Sequence, residues 1–267
     1  MTLYLDLYRY RELFGSLFRR DLRAKYKGSA LGVLWSLAHP LVLMAVYLVV
    51  FSVLLRVQPA RAVDHYWLFL LCGLPVWVFF ATSVQAASRS LLENANLIRK
   101  VRFPRQLVPL SVVATQLVSF AVMLGIVIVL SLVYEADARD TAWLAVPMAV
   151  LVVGLVAGFS LAIASANAVF RDVEHLVAAL LLPWFFLTPV LYALDQTPGV
   201  EAHPWLERAI HWANPLTPAV EAVRRPLFAG EPPRAADAIY LACSAVVALA
   251  VGAYVFRRVD DRVAVEV

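Results

Sequence analysis

Four basic side chains, Arg99, Lys100, Arg102 and Arg105, fall within seven positions of the stretch ENANLIRKVRFPRQL, residues 93–107. Cations at that density, set between two long apolar runs, have two uses. They can hold a loop on the cytoplasmic face of a membrane, as the positive-inside rule describes, or they can dock a soluble partner. The second set of residues able to do chemistry is uncharged. Tyr47, Phe51, Trp77, Phe80, Trp184 and Phe185 offer π faces suited to stacking on sugar rings. Small polar groups such as Gln85, Thr115, Gln116, Ser119, Asn167 and Thr188 lie in the same apolar runs and can hydrogen-bond hydroxyls. Packing between helices is the competing use of both groups. Gly154 and Gly158 form a GxxxG continued by Ala162 and Ser165, the pattern of a close-packed helix seam.

Other chemistries are missing. A phosphate-cradling loop needs Gly-x-x-x-x-Gly-Lys-Ser/Thr, and the three lysines, Lys25, Lys27 and Lys100, follow Ala24, Tyr26 and Arg99. No GxGxxG occurs either, so nucleotide energy would have to come from a second polypeptide. Apart from boundary residues such as Arg89, Asp172 and Glu174, the apolar runs carry no Asp, Glu, Lys or Arg. Intramembrane ionisable groups normally mark proton or ion pathways, so their lack argues against a proton-coupled transporter and against an intramembrane acid hydrolase. His39 and His175 stand at the ends of runs with no ligand cluster around them, which argues against a metal enzyme. The expectation is a non-catalytic chain with no cofactor or metal of its own. Cys72 and Cys243 both lie inside apolar runs and form no disulfide framework.

The elements that would position these residues follow from hydropathy. Of 267 residues, 62% are hydrophobic and 16% charged, and the mean hydropathy is +0.76, which is the composition of a membrane protein. Residues 1–30 read as an amphipathic, Arg-rich interface helix, with Leu3, Leu7, Tyr10, Phe14 and Leu17 at helical spacing. No basic start, short apolar core and small-residue cleavage site precede the first apolar run, so that run is expected to be kept. Six spans follow over residues 31–256: Leu31–Leu55, Tyr66–Ala87, Leu107–Tyr134, Trp143–Val169, His175–Leu194 and Ile239–Phe256. At 1.5 Å per residue the first is ~37 Å long, enough to cross a ~30 Å hydrocarbon core.

With the N-terminus inside, 16 Lys and Arg fall on the cytoplasmic side and seven outside, so both termini, the loop 88–106 and the tail 257–267 are placed in the cytoplasm. The modest net charge of +4 sits at span ends rather than on one soluble face, so no nucleic-acid partner is expected. The outer segment 195–238 reads as two short interfacial or re-entrant helices. In the second, Thr217 is the expected cap, Pro218 the first turn and Gly230 the stop.

Four stretches carry a resemblance: RDLRAKYKGSALGVLWSLAHPLVLMAVYLVVF (20–51), NANLIRKVRFPRQLVPL (94–110), FRDVEHLVAALLLPWFFLTPVLY (170–192) and NPLTPAVEAVRRPLF (214–228). They resemble, in register over nearly the whole chain, the ABC-2 type permeases that export cell-surface polysaccharides such as O-antigen, capsule and teichoic acid. The resemblance implies an all-α integral membrane subunit of the inner membrane, homodimeric, paired with two copies of a separate ATP-binding protein that holds ATP and Mg. The cargo would be a lipid-linked polysaccharide, O-antigen before the others, entering among membrane lipids. A small hydrophobic compound or a lipid is the alternative cargo of the same architecture. Carried over by motif, Asn94, Leu97, Ile98, Lys100, Phe103 and Pro104 would form the element that contacts the ATPase. Arg20, Asp21, Tyr26, Lys27 and Gly28 would form a second contact, and Arg171 with Asp172 the short turn before the fifth span.

Overall fold

In the structure, a computed structural model, residues 9–26, 65–101, 103–194 and 203–266 are described, together with isolated positions between 38 and 50. Apart from those isolated positions, the expected first span, Leu31–Leu55, lies outside the described residues, as do Tyr47, Phe51, Lys27, Gly28 and Arg102. The described elements are helical throughout: α1 (Arg11–Tyr26), α2 (Tyr66–Glu93), α3 (Ala95–Lys100), α4 (Leu107–Tyr134), α5 (Ala145–Val169), α6 (Val173–Leu187), α7 (Pro204–Ala213), α8 (Leu216–Arg224) and α9 (Ala235–Glu266). Two 3-10 turns, Ala136–Asp140 and Ala142–Leu144, join α4 to α5.

Four of these helices are long and apolar enough to cross a membrane: Tyr66–Glu93, Leu107–Tyr134, Ala142–Val169 and Ala235–Val259. The α4 bounds are those expected. The α2 helix runs six residues further, to Glu93, because Leu91 stays buried and the Ser88 and Ser90 hydroxyls turn back onto the Gln85 and Ala87 carbonyls. The fifth apolar run forms a helix of only 15 residues, α6, about 22 Å at the α-helical rise. It stops at Leu187 instead of Leu194 because Pro189 drives Thr188 into an extended conformation, φ −94° and ψ 127°. The last helix is longer than expected at both ends, Ala235–Glu266 against Ile239–Phe256.

In the segment expected to lie outside, α8 starts one residue before the expected cap. Thr217 does not cap it; its hydroxyl donates to the Ile210 carbonyl at 3.1 Å and so ties α7 to α8. A π-helical turn, Arg225–Ala229, continues α8 and ends at Gly230, the stop expected. Gly230 takes a left-handed φ of 64°, and a Cβ there would lie 2.4 Å from Asp137 Cβ, so only glycine serves both turn and contact.

The core is centred on α2, which packs against α4, α5, α6 and α8. The strongest pairing is α5 with α9. A Cβ on Gly158 would sit 2.2 Å from the Ala248 backbone, and one on Gly252 2.3 Å from the Gly158 carbonyl oxygen. Backbone thus meets backbone, and the expected GxxxG seam is the α5–α9 interface. Outward faces are apolar: Leu176, Leu180 and Leu182 on α6 and Val246, Val247 and Val251 on α9 are each at least half exposed. That surface suits lipid, and the protein is a multi-pass membrane protein.

Candidate functional site

At one end of α2 the structure gathers several of the residues picked out from sequence. Arg20 on α1 grips Asp21 at 2.8 Å and donates from Nη2 to Asn94 Oδ1 at 2.7 Å. Asp21 in turn accepts from the Ser111 hydroxyl of α4 at 2.9 Å. Asn94 closes α2, its backbone N–H and side-chain amide both donating to the Ser90 carbonyl. The α1 helix, the α2 terminus and the start of the basic loop therefore form one hydrogen-bonded corner. Lys25 extends it along α4, donating to Gln116 Oε1 at 2.6 Å and Ser119 Oγ at 2.8 Å.

Beneath that corner lies an apolar cluster that includes Leu17, Leu91, Ile98, Leu107 and Phe256, with Leu97 and Phe103 packed against it. Ile98 is 7% exposed and faces this cluster. Pro104 is half-buried, whereas Arg99 and Lys100 are exposed. The loop thus presents its cations outward while its aliphatic residues anchor it. Arg171 and Asp172 are exposed in the turn before α6. That turn is tied to the same end of α2: Asn167 donates to the Ser88 carbonyl and accepts from the Glu174 N–H, both at 2.8 Å, and Arg89 pairs with Glu174 at 2.8 Å. Sequence reasoning registered Asn167, Arg89 and Glu174 only as a polar residue and two boundary charges; nothing in their spacing points to one junction.

The aromatic residues also come together, but inside the protein. Trp77 meets Phe80 at 6.0 Å and Phe185 at 5.3 Å between ring centroids, and Phe80 meets Trp184 at 5.1 Å, edge to face. Phe80 is fully buried and Trp77 and Phe185 nearly so, while Trp184 keeps part of its surface exposed. The Trp184 indole N–H donates to Asn214 Oδ1 at 2.9 Å, and the Asn214 amide donates to Thr188 Oγ1 at 2.9 Å. An open apolar groove of about 450 Å³ runs past Trp184 between α6 and α7.

At the other end of α2 stands a residue that the sequence left unmarked. Arg224 is 2% exposed. It donates to Glu221 Oε1 and to the Val190 carbonyl, each at 2.9 Å, and its guanidinium lies 3.9 Å from the Phe69 ring centroid. Burial pushes the group below its ordinary pKa, and the Glu221 carboxylate opposes that shift.

No group of three or more His, Cys, Asp and Glu side chains that could hold a metal ion occurs among the described residues. The arrangement is that of a membrane scaffold with exposed cations, Arg99 and Lys100, beside one hydrogen-bonded corner. The ABC-2 type transporter family matches residues 12–228. The O-antigen export system permease protein RfbA of Myxococcus xanthus is 34% identical over 256 residues, 94% of each chain. Two proteins of the same name from Klebsiella pneumoniae are 33% and 34% identical over 73% of each chain. Matched over most of its length by family and relatives alike, with long apolar helices to cross the bilayer, this chain belongs to the ABC-2 type transporter family and is the membrane permease subunit of an exporter.

Proposed function

We propose that the chain exports a lipid-linked cell-surface polysaccharide, O-antigen in the first instance, across the cytoplasmic membrane. It would act as a homodimer of six-span subunits with both termini in the cytoplasm and two copies of a separate ATP-binding subunit beneath. The observation that carries the reading is the 34% identity to an O-antigen export permease over 94% of both chains. The Arg20–Asn94 corner is where such a partner would push. Arg20, Asp21, Asn94, Lys100, Arg171 and Asp172 all lie on elements joined to the same end of α2. A thrust on α1 or on the basic loop would therefore reach the spans through hydrogen bonds already in place. Ile98, Leu97 and Phe103 hold the loop to the scaffold, and the cations Arg99 and Lys100 face the partner.

ATP and Mg would be bound by that partner, and closure of its two nucleotide sites would drive the spans apart at the dimer axis. Trp184, backed by the cluster of Phe80, Trp77 and Phe185, offers a partly exposed ring at a groove. Rings bind sugars without much selectivity, which suits a sliding polymer.

The test is purification of the tagged protein in mild detergent, with identification of whatever accompanies it and an assay for ATP hydrolysis. A stoichiometric ATPase that is lost when Arg99 and Lys100 become Glu, together with loss of surface polymer in cells lacking the permease, is the expected result. A solitary, ATPase-free oligomer, or unchanged surface polymer, would sink the reading. Trp184→Ala should slow export without releasing the ATPase; unchanged export would remove the ring from the path.

A further inference from the structure

We propose that Arg224 is a positioning residue of the transport cycle: it bolts α8 and the 188–194 turn to α2, so that the outer wall of each subunit moves as one body. The exit then opens between such bodies and not within one. The inference rests on the exporter reading and the orientation given above.

The geometry is that of a fastener shared by three elements. Arg224 closes α8, and Glu221 on the same helix holds its Nη1. Its Nη2 reaches the Val190 carbonyl, 34 residues back in the turn after α6. Its plane covers Phe69 on α2. A second bond, from the Tyr66 hydroxyl of α2 to the Leu191 carbonyl at 2.6 Å, joins turn to helix beside it. Room for the guanidinium is made by Gly73, where any Cβ would lie 2.3 Å from Arg224 Nη2 and 3.2 Å from Val220 Cγ1. The site is sealed, and Arg224 Nε has no hydrogen-bond partner among the described residues.

Sliding α8 off α2 would strip a buried cation of a carbonyl and a ring at once. A charge left without partners in a low-dielectric interior is among the costliest defects a fold can carry. An ordinary packing contact between the same helices would have needed only an aliphatic side chain. The planar, forked guanidinium can engage carbonyl, carboxylate and ring together, which a lysine ammonium cannot.

The protein carries its own reporter of the joint. Cys72, adjacent to Gly73, is completely buried, and the only other cysteine, Cys243, is exposed. In a Cys243→Ser background, the rate at which a membrane-impermeant maleimide modifies Cys72 would be measured in spheroplasts and in inverted vesicles. It would be followed at rest and while polymer is being exported. The bolt predicts protection in both conditions. Gly73→Ala, which displaces the guanidinium without removing it, and Arg224→Gln should each raise the rate at least about tenfold, since a local opening only slightly less costly exposes the thiol proportionately more often. Arg224→Lys should fall between.

Modification of Cys72 in the parent protein during export would overturn the proposal, because α8 and the 188–194 turn would then be lifting off α2 in each cycle. So would variants that reach the membrane and react no faster than the parent. Variants that react faster, but only from the cytoplasmic face, would leave the bolt standing and overturn the orientation instead. Faster reaction in a protein whose loss leaves surface polymer intact would likewise keep the bolt and sink the exporter reading.

Discussion

Arg20 and Arg224 sit at opposite ends of α2 and are built into opposite kinds of joint. Arg20 has a side chain 48% exposed and shares itself between Asp21 and Asn94. Arg224 is 2% exposed, wedged against Phe69 and over the gap left by Gly73. Exposed ion pairs in high dielectric contribute little and exchange easily with water, whereas a buried guanidinium has no second set of partners to move to. The Arg20 joint is therefore adjustable and the Arg224 joint fixed. If α2 passes a push from one end to the other, as proposed above, that asymmetry is useful: compliance where the force would enter, rigidity where the wall would be held.

Four substitutions would break or sharpen the contrast, read as thermal unfolding in detergent. Arg224→Gln should be the most damaging, about 3 kcal/mol, because the Val190 carbonyl loses its charged donor and Phe69 its cation. A loss below about 1 kcal/mol would mean the fixed joint is no stronger than the exposed one. Ile98→Ala should cost about 2 kcal/mol by opening a cavity among Leu17, Leu91 and Leu107. A neutral result there would show that the basic loop is not anchored by its aliphatic residues. Gly73→Ala should cost about 1–2 kcal/mol, the strain of forcing Arg224 and Val220 aside. Arg20→Ala should cost less than about 1 kcal/mol, yet export per ATP hydrolysed should fall. If stability fell by as much as in Arg224→Gln, the two joints would be alike after all.

How much of this was readable beforehand depended on the kind of signal. The bounds of α4 were legible because 28 residues without a charge end at Gln106 and Glu135. The α5–α9 seam was half legible. Gly154 and Gly158 announced one face, but nothing in the sequence said that Gly252, in a helix expected only to span, was its counterpart. The end of α6 was misread because hydropathy continues through Val190 and Leu191, while the conformational restriction that Pro189 imposes on Thr188 acts on a single residue. The basic loop stood out in the sequence by its run of cations, yet the division between buried Ile98 and exposed Lys100 needed coordinates. Arg224 escaped because burial of a charge leaves no periodic trace. Next to Arg225 it read as one of several cations in an outer loop, and only the gap at Gly73 shows why it is there.

The α5–α9 contact also bears on how the chain is made. Gly158 and Gly252 are separated by a long stretch of sequence, and their helices approach closely enough for a Cβ on either to strike the other's backbone. While the ribosome is still synthesising α6, α7 and α8, the glycine face of α5 has no partner and must wait against acyl chains, which pack poorly into so narrow a furrow. Assembly of this subunit is thus sealed from its C-terminal side: α2, α4 and α5 can associate as they emerge, but the furrow closes only once α9 has been delivered to the bilayer.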